Sequence, residues 1–346
     1  MSSSMTQSLF LQTLKGVKTK NTPLWMMRQA GRYLDEYRAV RKTQSDFISF
    51  CLNPEKACEV TLQPITRFRF DAAIIFSDIL MVPWALDRNV RFITGEGPKL
   101  DPLSPDDALD FKHLDNITDK LAPVGQAVSI TRQKLDENTA LIGFAGAPWT
   151  VITYMIEGGS SRDFAETRQW LWSHPAEFDR LLDLTTEATI NFLEIQAKAG
   201  ADVLMLFDSW ASAVPAAHRQ QIVIAPIQKI ITTLRERGYH QPVIGFPKGI
   251  GEGIIAYVEQ TGINALAIDH MTDPVWVNQN IPKHIPVQGN LDPLSLIKGG
   301  ETMISAIDKI LDAFDDRPHI FNLGHGITPP TPVAHVEQMV TRVRSR

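Results

Sequence analysis

The sequence predicts a single-domain α/β protein, a (β/α)8 (TIM) barrel with its active site at the C-terminal ends of the strands. Three observations predict it. Short apolar runs with little polar alternation recur eight times along 346 residues, as strands covered on both faces do. Segments of helical period separate them, which gives βαβ units, and eight such units close a barrel. Glycines, acids, an arginine and a histidine stand just after the runs, where a barrel carries its chemistry.

The runs cover 24–27, 72–76, 140–144, 202–207, 242–246, 265–268, 285–288 and 319–323. Between the last two, 301–315 reads as an amphipathic helix: Met303, Ile307, Ile310, Leu311 and Phe314 share one face, leaving Glu301, Asp308, Lys309 and Asp312 to water. The segments 187–199 and 221–237 have the same pattern. Ser104-Pro105-Asp106-Asp107 has a helix-start composition, with a capping Ser, Pro in the first turn and acids beside it. No low-complexity linker divides the chain, so residues 1–20 read as an extension and 21–346 as one barrel domain.

Composition narrows the function classes. There are 34 Lys and Arg against 39 Asp and Glu, a net charge of −5, which argues against broad nucleic-acid or anionic-membrane binding. The two cysteines, Cys51 and Cys58, are too few for a disulfide framework and suit a reducing compartment. The start MSSSMTQSLFLQTLKG lacks the basic-then-apolar pattern of a secretory leader. No run approaches the ~18 apolar residues of a membrane span. A cytoplasmic protein is expected.

The candidate chemistry begins after the first run, at Arg28-Gln29-Ala30-Gly31-Arg32 followed by Arg38, Arg41 and Lys42. These are either a solvated helix face paired with Asp35 and Glu36, or forks for an anionic ligand. Asp78, set between apolar stretches, is either a cap or a charge held at a partly dry site. His325 lies between two glycines after the eighth run, where a structural and a functional role are both open. Tyr154 and Ser209 are weaker candidates, and no Gly-x-Ser-x-Gly elbow surrounds the serine. Lys248, after the fifth run, reads as an anion contact rather than a Schiff-base lysine. Cys51 and Cys58 follow no run and have no histidine near, so no metal site is expected. Gly251-Glu-Gly-Ile-Ile-Ala256 fits a dinucleotide fingerprint. The four residues before it and the lack of a matching first half argue against that role.

Several of these stretches carry a family likeness. Pro23-Leu-Trp-Met-Met-Arg-Gln-Ala-Gly-Arg-Tyr-Leu-Asp-Glu-Tyr-Arg38 resembles the N-terminal signature of the uroporphyrinogen decarboxylases, and Gly143-Phe-Ala-Gly-Ala-Pro-Trp-Thr150 resembles their second signature. Phe76-Ser-Asp-Ile-Leu80, Phe207-Asp-Ser-Trp210, Gln288-Gly-Asn-Leu-Asp-Pro293 and Asn322-Leu-Gly-His-Gly326 follow in register. Asp35, where the family usually has Pro, and Ser212, where Gly often follows Trp-Ala, depart from the pattern. The resemblance implies a homodimeric barrel that removes four acetate carboxyls from uroporphyrinogen III without a cofactor, giving coproporphyrinogen III. It also implies that Arg28, Gln29, Ala30, Gly31 and Arg32 hold substrate carboxylates, with Arg41 and Phe47 supporting. Asp78 becomes the central, transition-state-stabilising carboxylate with Arg28 as its catalytic companion, and Tyr154, Ser209 and His325 contact the macrocycle.

Two rivals remain at this level. A corrinoid-linked methyltransferase on the same barrel needs zinc held by Cys and His at strand ends, and no Cys follows a strand here. A non-catalytic tetrapyrrole carrier would need the arginines but not Asp78. Trp25, Met26 and Met27 read as core rather than as ligand contacts.

Overall fold

The structure is a computed structural model describing residues 8–93, 95–107 and 111–346. Its centre is a curled parallel sheet of seven strands. They are β1 (Ala72–Ile74), β4 (Ala140–Gly146), β5 (Val203–Asp208), β6 (Val243–Pro247), β7 (Ala265–Ala267), β8 (Val287–Leu291) and β9 (His319–Leu323), paired in that order. The remaining two strands, β2 (Arg91–Ile93) and β3 (Gly97–Lys99), form a separate antiparallel hairpin. All residues of β4, β6, β8 and β9 are buried, which is why their sequences lack polar alternation.

Seven of the eight expected runs are strands in the sheet; 24–27 is the correction. It makes one parallel bridge, Leu24 to Phe321. Backbone hydrogen bonds tie it to both neighbours: Phe321 N–H to Pro23 O at 2.8 Å and Asp71 N–H to Leu24 O at 3.0 Å. The segment turns away after Met27, where Met26 O accepts from Gln29 N–H at 3.1 Å, so the ladder stops before it can lengthen.

Helices cover the outside of the sheet. Gly300–Ala313 buries Met303, Ile307, Ile310 and Leu311, the face read from periodicity. The 187–199 pattern is the second half of a longer helix, Pro175–Lys198. In 221–237 a π turn, Gln220–Ile224, leads into Ala225–Glu236. Pro226, which has no N–H to donate, sits where the two pieces meet. At Ser104 the expected helix start is a turn closed by Asp107 N–H to Ser104 O at 3.0 Å. The continuation at 108–110 lies outside the described residues, and a 3-10 turn, Phe111–Leu114, follows. Of the expected extension 1–20, residues 1–7 lie outside the described residues. The helix Leu9–Leu14 packs Phe10 and Leu14 into the main core. No helix among the described residues is long and apolar enough to cross a membrane.

Candidate active site

A cavity of about 770 Å³ opens at the carboxyl ends of the strands, toward the large end of the ~300–1,000 Å³ usual for small-molecule sites. Arg28, Ala30, Gly31, Arg32, Arg41, Phe47, Asp78, Ser209 and His325 all line it. Residues nearly 300 positions apart in sequence therefore meet at one mouth. The β2–β3 hairpin flanks the same cavity with Phe92 and Pro98, and Phe92 packs on Phe47 at 4.4 Å between ring centroids.

Arg28 is positioned by buried polar side chains behind it. Trp25 Nε1–H donates to Gln288 Oε1 at 2.9 Å, and Met27 N–H donates to Asn322 Oδ1 at 3.1 Å. Ile327 N–H donates to Met27 O at 3.0 Å. The Gln288 and Asn322 motifs thus fasten the first signature to β8 and β9. Arg28 itself adopts φ +62°, a left-handed conformation that costs a non-glycine residue on the order of 1 kcal/mol. Surrounding hydrogen bonds hold it there, and the strain aims the side chain across Gly326. A Cβ at Gly326 would lie 2.4 Å from Arg28 Cδ. The glycines around His325 are thereby explained: Gly326 makes room for Arg28, and a Cβ at Gly324 would meet His270 N at 2.2 Å.

Of the arginines in this stretch, only Arg38 pairs with an acid beside it in sequence. Glu36 takes Arg67 bidentately at 2.8 and 3.1 Å, and Asp35 pairs with Arg38. Among the described residues, no carboxylate forms an ion pair with Arg28, Arg32 or Arg41, and Arg41 Nη1 donates to Gln44 O at 3.0 Å. Guanidinium groups gathered at a cavity with no acid ion-paired to them call for anionic ligands.

Asp78 is the carboxylate facing them. Its Oδ1 accepts Leu80 N–H at 2.8 Å, so the turn-capping role is real. Burial pushes its pKa up to about 6, while the Leu80 amide and the Arg28 charge pull it down. His325 is pushed down to about 3 by burial and by the positive charges of Lys248, Arg28 and His270, so it enters the site as a neutral imidazole. Tyr154 packs on Trp210 with ring centroids 6.3 Å apart. Its hydroxyl is raised by burial and by Asp78 and lowered by Trp210 and Arg28.

Three expectations need correction. Gln29 is fully buried and does not line the cavity. Its Nε2 donates to Ala72 O at 3.2 Å and its Oε1 accepts Met26 N–H at 3.3 Å, so it braces the arginine loop from behind. Tyr154 does not itself line the cavity and packs beside Trp210. Met27, read as pure core, reaches the cavity. Cys51 ends the helix Phe47–Cys51 and is buried close enough to Asp78 for the carboxylate to raise its thiol, behind the larger effect of burial. A cysteine therefore does stand near a strand end, but sealed in the core.

Sequence reading passed over Tyr37 and the hairpin. Tyr37 lines the cavity, and its hydroxyl, pushed up to about 12, is raised by burial, Cys51 and Asp78 and lowered by Arg41 and Arg32. Its place inside the first signature was the available signal. The dinucleotide-like glycines have another use: Glu252 pairs with Arg219 at 3.0 Å, and a Cβ at Gly253 would meet Arg219 Nη1 at 2.9 Å. Among the described residues, no three His, Cys, Asp or Glu side chains gather as a metal site.

Comparison with known proteins gives a consistent result. In structure, a methyltransferase from Methanosarcina mazei superposes with a TM-score of 0.81, at 18% identity, over 98% of this chain and 99% of its own. A B12-independent methionine synthase from Shewanella superposes at 0.54, at 12% identity, over 84% and 85%. At such identities the likeness shows the fold alone. In sequence, the uroporphyrinogen decarboxylase family model matches residues 5–346. Curated uroporphyrinogen decarboxylases of Maricaulis maris and Sphingopyxis alaskensis are 48% and 49% identical, over 99% and 96% of this chain and 99% and 97% of their own. Likeness at that level from end to end is more than a shared scaffold, and the chain belongs to the uroporphyrinogen decarboxylase family.

Proposed function

We propose that the chain decarboxylates the four acetate side chains of uroporphyrinogen III to methyl groups, giving coproporphyrinogen III and four CO2, with its own side chains as the catalytic groups. The observation that carries this reading is the cavity itself: Arg28, Arg32 and Arg41, free of ion-pair partners among the described residues, share it with Asp78. A substrate with eight carboxylates supplies the missing anions.

In each round a proton adds to the pyrrole carbon beside the acetate, and the ring becomes a cation. The bond to the carboxylate then breaks, its electron pair flows into the ring, and CO2 leaves an exocyclic methylene. A second proton adds to the methylene, the ring gives up its first, and a methyl group remains. Asp78 accepts hydrogen bonds from the pyrrole N–H groups and stabilises the ring cation where charge develops. Arg28 orients the reacting arm. With a pKa above ~12 a guanidinium is a weak acid, so a substrate carboxyl or a water held by Arg28 is the alternative proton source. Ser209 and the neutral His325 contact the macrocycle, Tyr154 supports Trp210 beside them, and Gln29 keeps the arginine loop in place.

The same reading makes 24–27 the eighth stave of one closed barrel over 21–346, in a homodimer of the cytoplasm. Met271, Leu294 and Val275 are exposed. Asn290 Nδ2–H to Thr272 O at 2.8 Å ties the end of β8 to the turn that carries Met271, and such exposed apolar side chains suit contact with a second copy. The test of the activity is an anaerobic assay of chelator-treated protein with uroporphyrinogen, following CO2 and the seven- to four-carboxyl products. Turnover without additions is expected. Tight binding without CO2 release would make the chain a carrier and overturn the reading.

A further inference from the structure

At the carboxyl end of β6, on the face where the cavity opens, the loop carries a cation that the reaction outlined above leaves unused. The Lys248 backbone is fixed on both sides: its N–H donates to Asp208 O at 3.1 Å, and its carbonyl accepts Ser212 N–H at 3.2 Å. The next amide, Gly249 N–H, donates to Asp269 Oδ2 at 2.7 Å. From this anchored base the ammonium lies 5.6 Å from the centroid of the Trp210 ring, a cation–π contact that partly offsets its lost hydration. Among the described residues, no acid forms an ion pair with it. The acids on neighbouring strand ends are engaged elsewhere. Asp208 Oδ1 accepts Thr150 Oγ1–H at 2.6 Å, and Asp269 takes the amides of Gly249 and Met271, the latter at 2.8 Å.

We propose that the Lys248 ammonium, at the β6 end of the mouth, is a further binding group for a carboxylate arm of the substrate. A half-buried ammonium with no acid beside it is costly unless an anion arrives, and the anchored loop spares most of the ordering cost when one does. Its place beside the ligand space follows from the bond to Asp208, which is followed directly by the cavity residue Ser209; Lys248 also acts on the imidazole of His325, a second cavity residue. Lys248 and Arg28 both act on His325, so a polycarboxylate lying over the imidazole comes within reach of both cations. The stack on Trp210 adds a second consequence, because Trp210 also packs on Tyr154 at 6.3 Å and Phe164 at 5.0 Å. A carboxylate drawn to Lys248 is therefore received at an aromatic wall that the β5 loop already holds.

The inference rests on the decarboxylase reading, and the experiment separates the two. Turnover by the parent chain is measured first; its absence would remove that reading whatever Lys248 does. Lys248→Met keeps most of the stem over Trp210 and removes the charge, while Lys248→Arg keeps a cation. The expected result for Lys248→Met is a KM for uroporphyrinogen raised about tenfold, a smaller fall in kcat, and a flatter dependence of kcat/KM on salt. Lys248→Arg should recover most of the loss. Product inhibition by coproporphyrinogen, which bears only propionates, weakening in parallel would assign the arm as a propionate; unchanged product inhibition would assign it as an acetate. A Lys248→Met enzyme with the parent KM and salt dependence, or a Lys248→Arg enzyme as impaired as Lys248→Met, would overturn the assignment and leave Lys248 a packing residue.

Discussion

Two aspartates stand at strand ends, and burial raises both, Asp78 to about 6 and Asp208 to about 7. On that measure alone they are equal candidates, with Asp208 the stronger. Their surroundings differ in every other respect. Asp78 lines the cavity, has one backbone amide on Oδ1, and feels the charge of Arg28. Asp208 is 1% exposed and lies off the cavity. It is satisfied by Thr150, whose Oγ1 also accepts Trp210 N–H at 3.1 Å. Burial perturbs both groups, but only Asp78 has access to ligand and a cation to work with. A shifted titration marks a costly carboxylate, and access decides whether the cost is functional.

The sharpest way to break this comparison is to neutralise each acid in turn. Asp78→Asn keeps the shape and the Leu80 amide contact but removes the charge that, on the proposed mechanism, stabilises the pyrrole cation. We expect kcat to fall by roughly 10³-fold, about 4 kcal/mol of barrier, with folding by circular dichroism unchanged. In the parent enzyme the ionised form is the working one. Activity should therefore rise as pH increases through about 6, and that acid limb should vanish from the residual activity of Asp78→Asn. Near-parent turnover by Asp78→Asn would end the electrostatic role.

A smaller effect is expected where Arg28 meets Gly326. The Cβ of Gly326→Ala would crowd Arg28 Cδ, Cγ and Nε at 2.4, 2.7 and 3.0 Å. A side chain yields more cheaply than backbone, so the guanidinium should swing away while the barrel stays folded. A fall in kcat/KM of about 10–100-fold is expected, since misplacement by an ångström costs on that order, with Tm within a few degrees of the parent. An unfolded protein, or full activity, would show that Gly326 does not set the position of Arg28.

These contacts also show what the sequence could and could not reveal. β4 and β6 were legible because full burial leaves uninterrupted apolar runs. Segment 24–27 has the same composition, yet it makes one bridge and turns, because the length of a ladder depends on partners distant in sequence. Arg28, Asp78 and His325 were legible as polar residues following apolar runs. Gln29 was misplaced because a signature says that a residue matters, not which way its side chain points: it is buried against Ala72. Gly324 and Gly326 drew attention to His325, whereas the room they leave is for His270 and Arg28. Such close approaches are invisible until both strands are in place.

The smallest effect sharpens the comparison from the other side, through stability rather than rate. The folded-state pKa of Asp208, about 7, lies above the unfolded value near 3.9. Between those values the folded chain holds a proton that the unfolded chain has released, so stability contributed at this site is present below about pH 4 and lost as pH rises toward 7. Asp208→Asn removes that titration while its amide oxygen can still accept from Thr150. The variant should unfold with a flatter pH dependence between 4 and 7 and gain on the order of 2 kcal/mol relative to the parent at pH 8, with most of its turnover intact. Denaturant unfolding at pH 4.5 and 8 measures it. An unchanged slope would mean that Asp208 is not held protonated in the folded chain, and a collapse in turnover would place it in the chemistry beside Asp78.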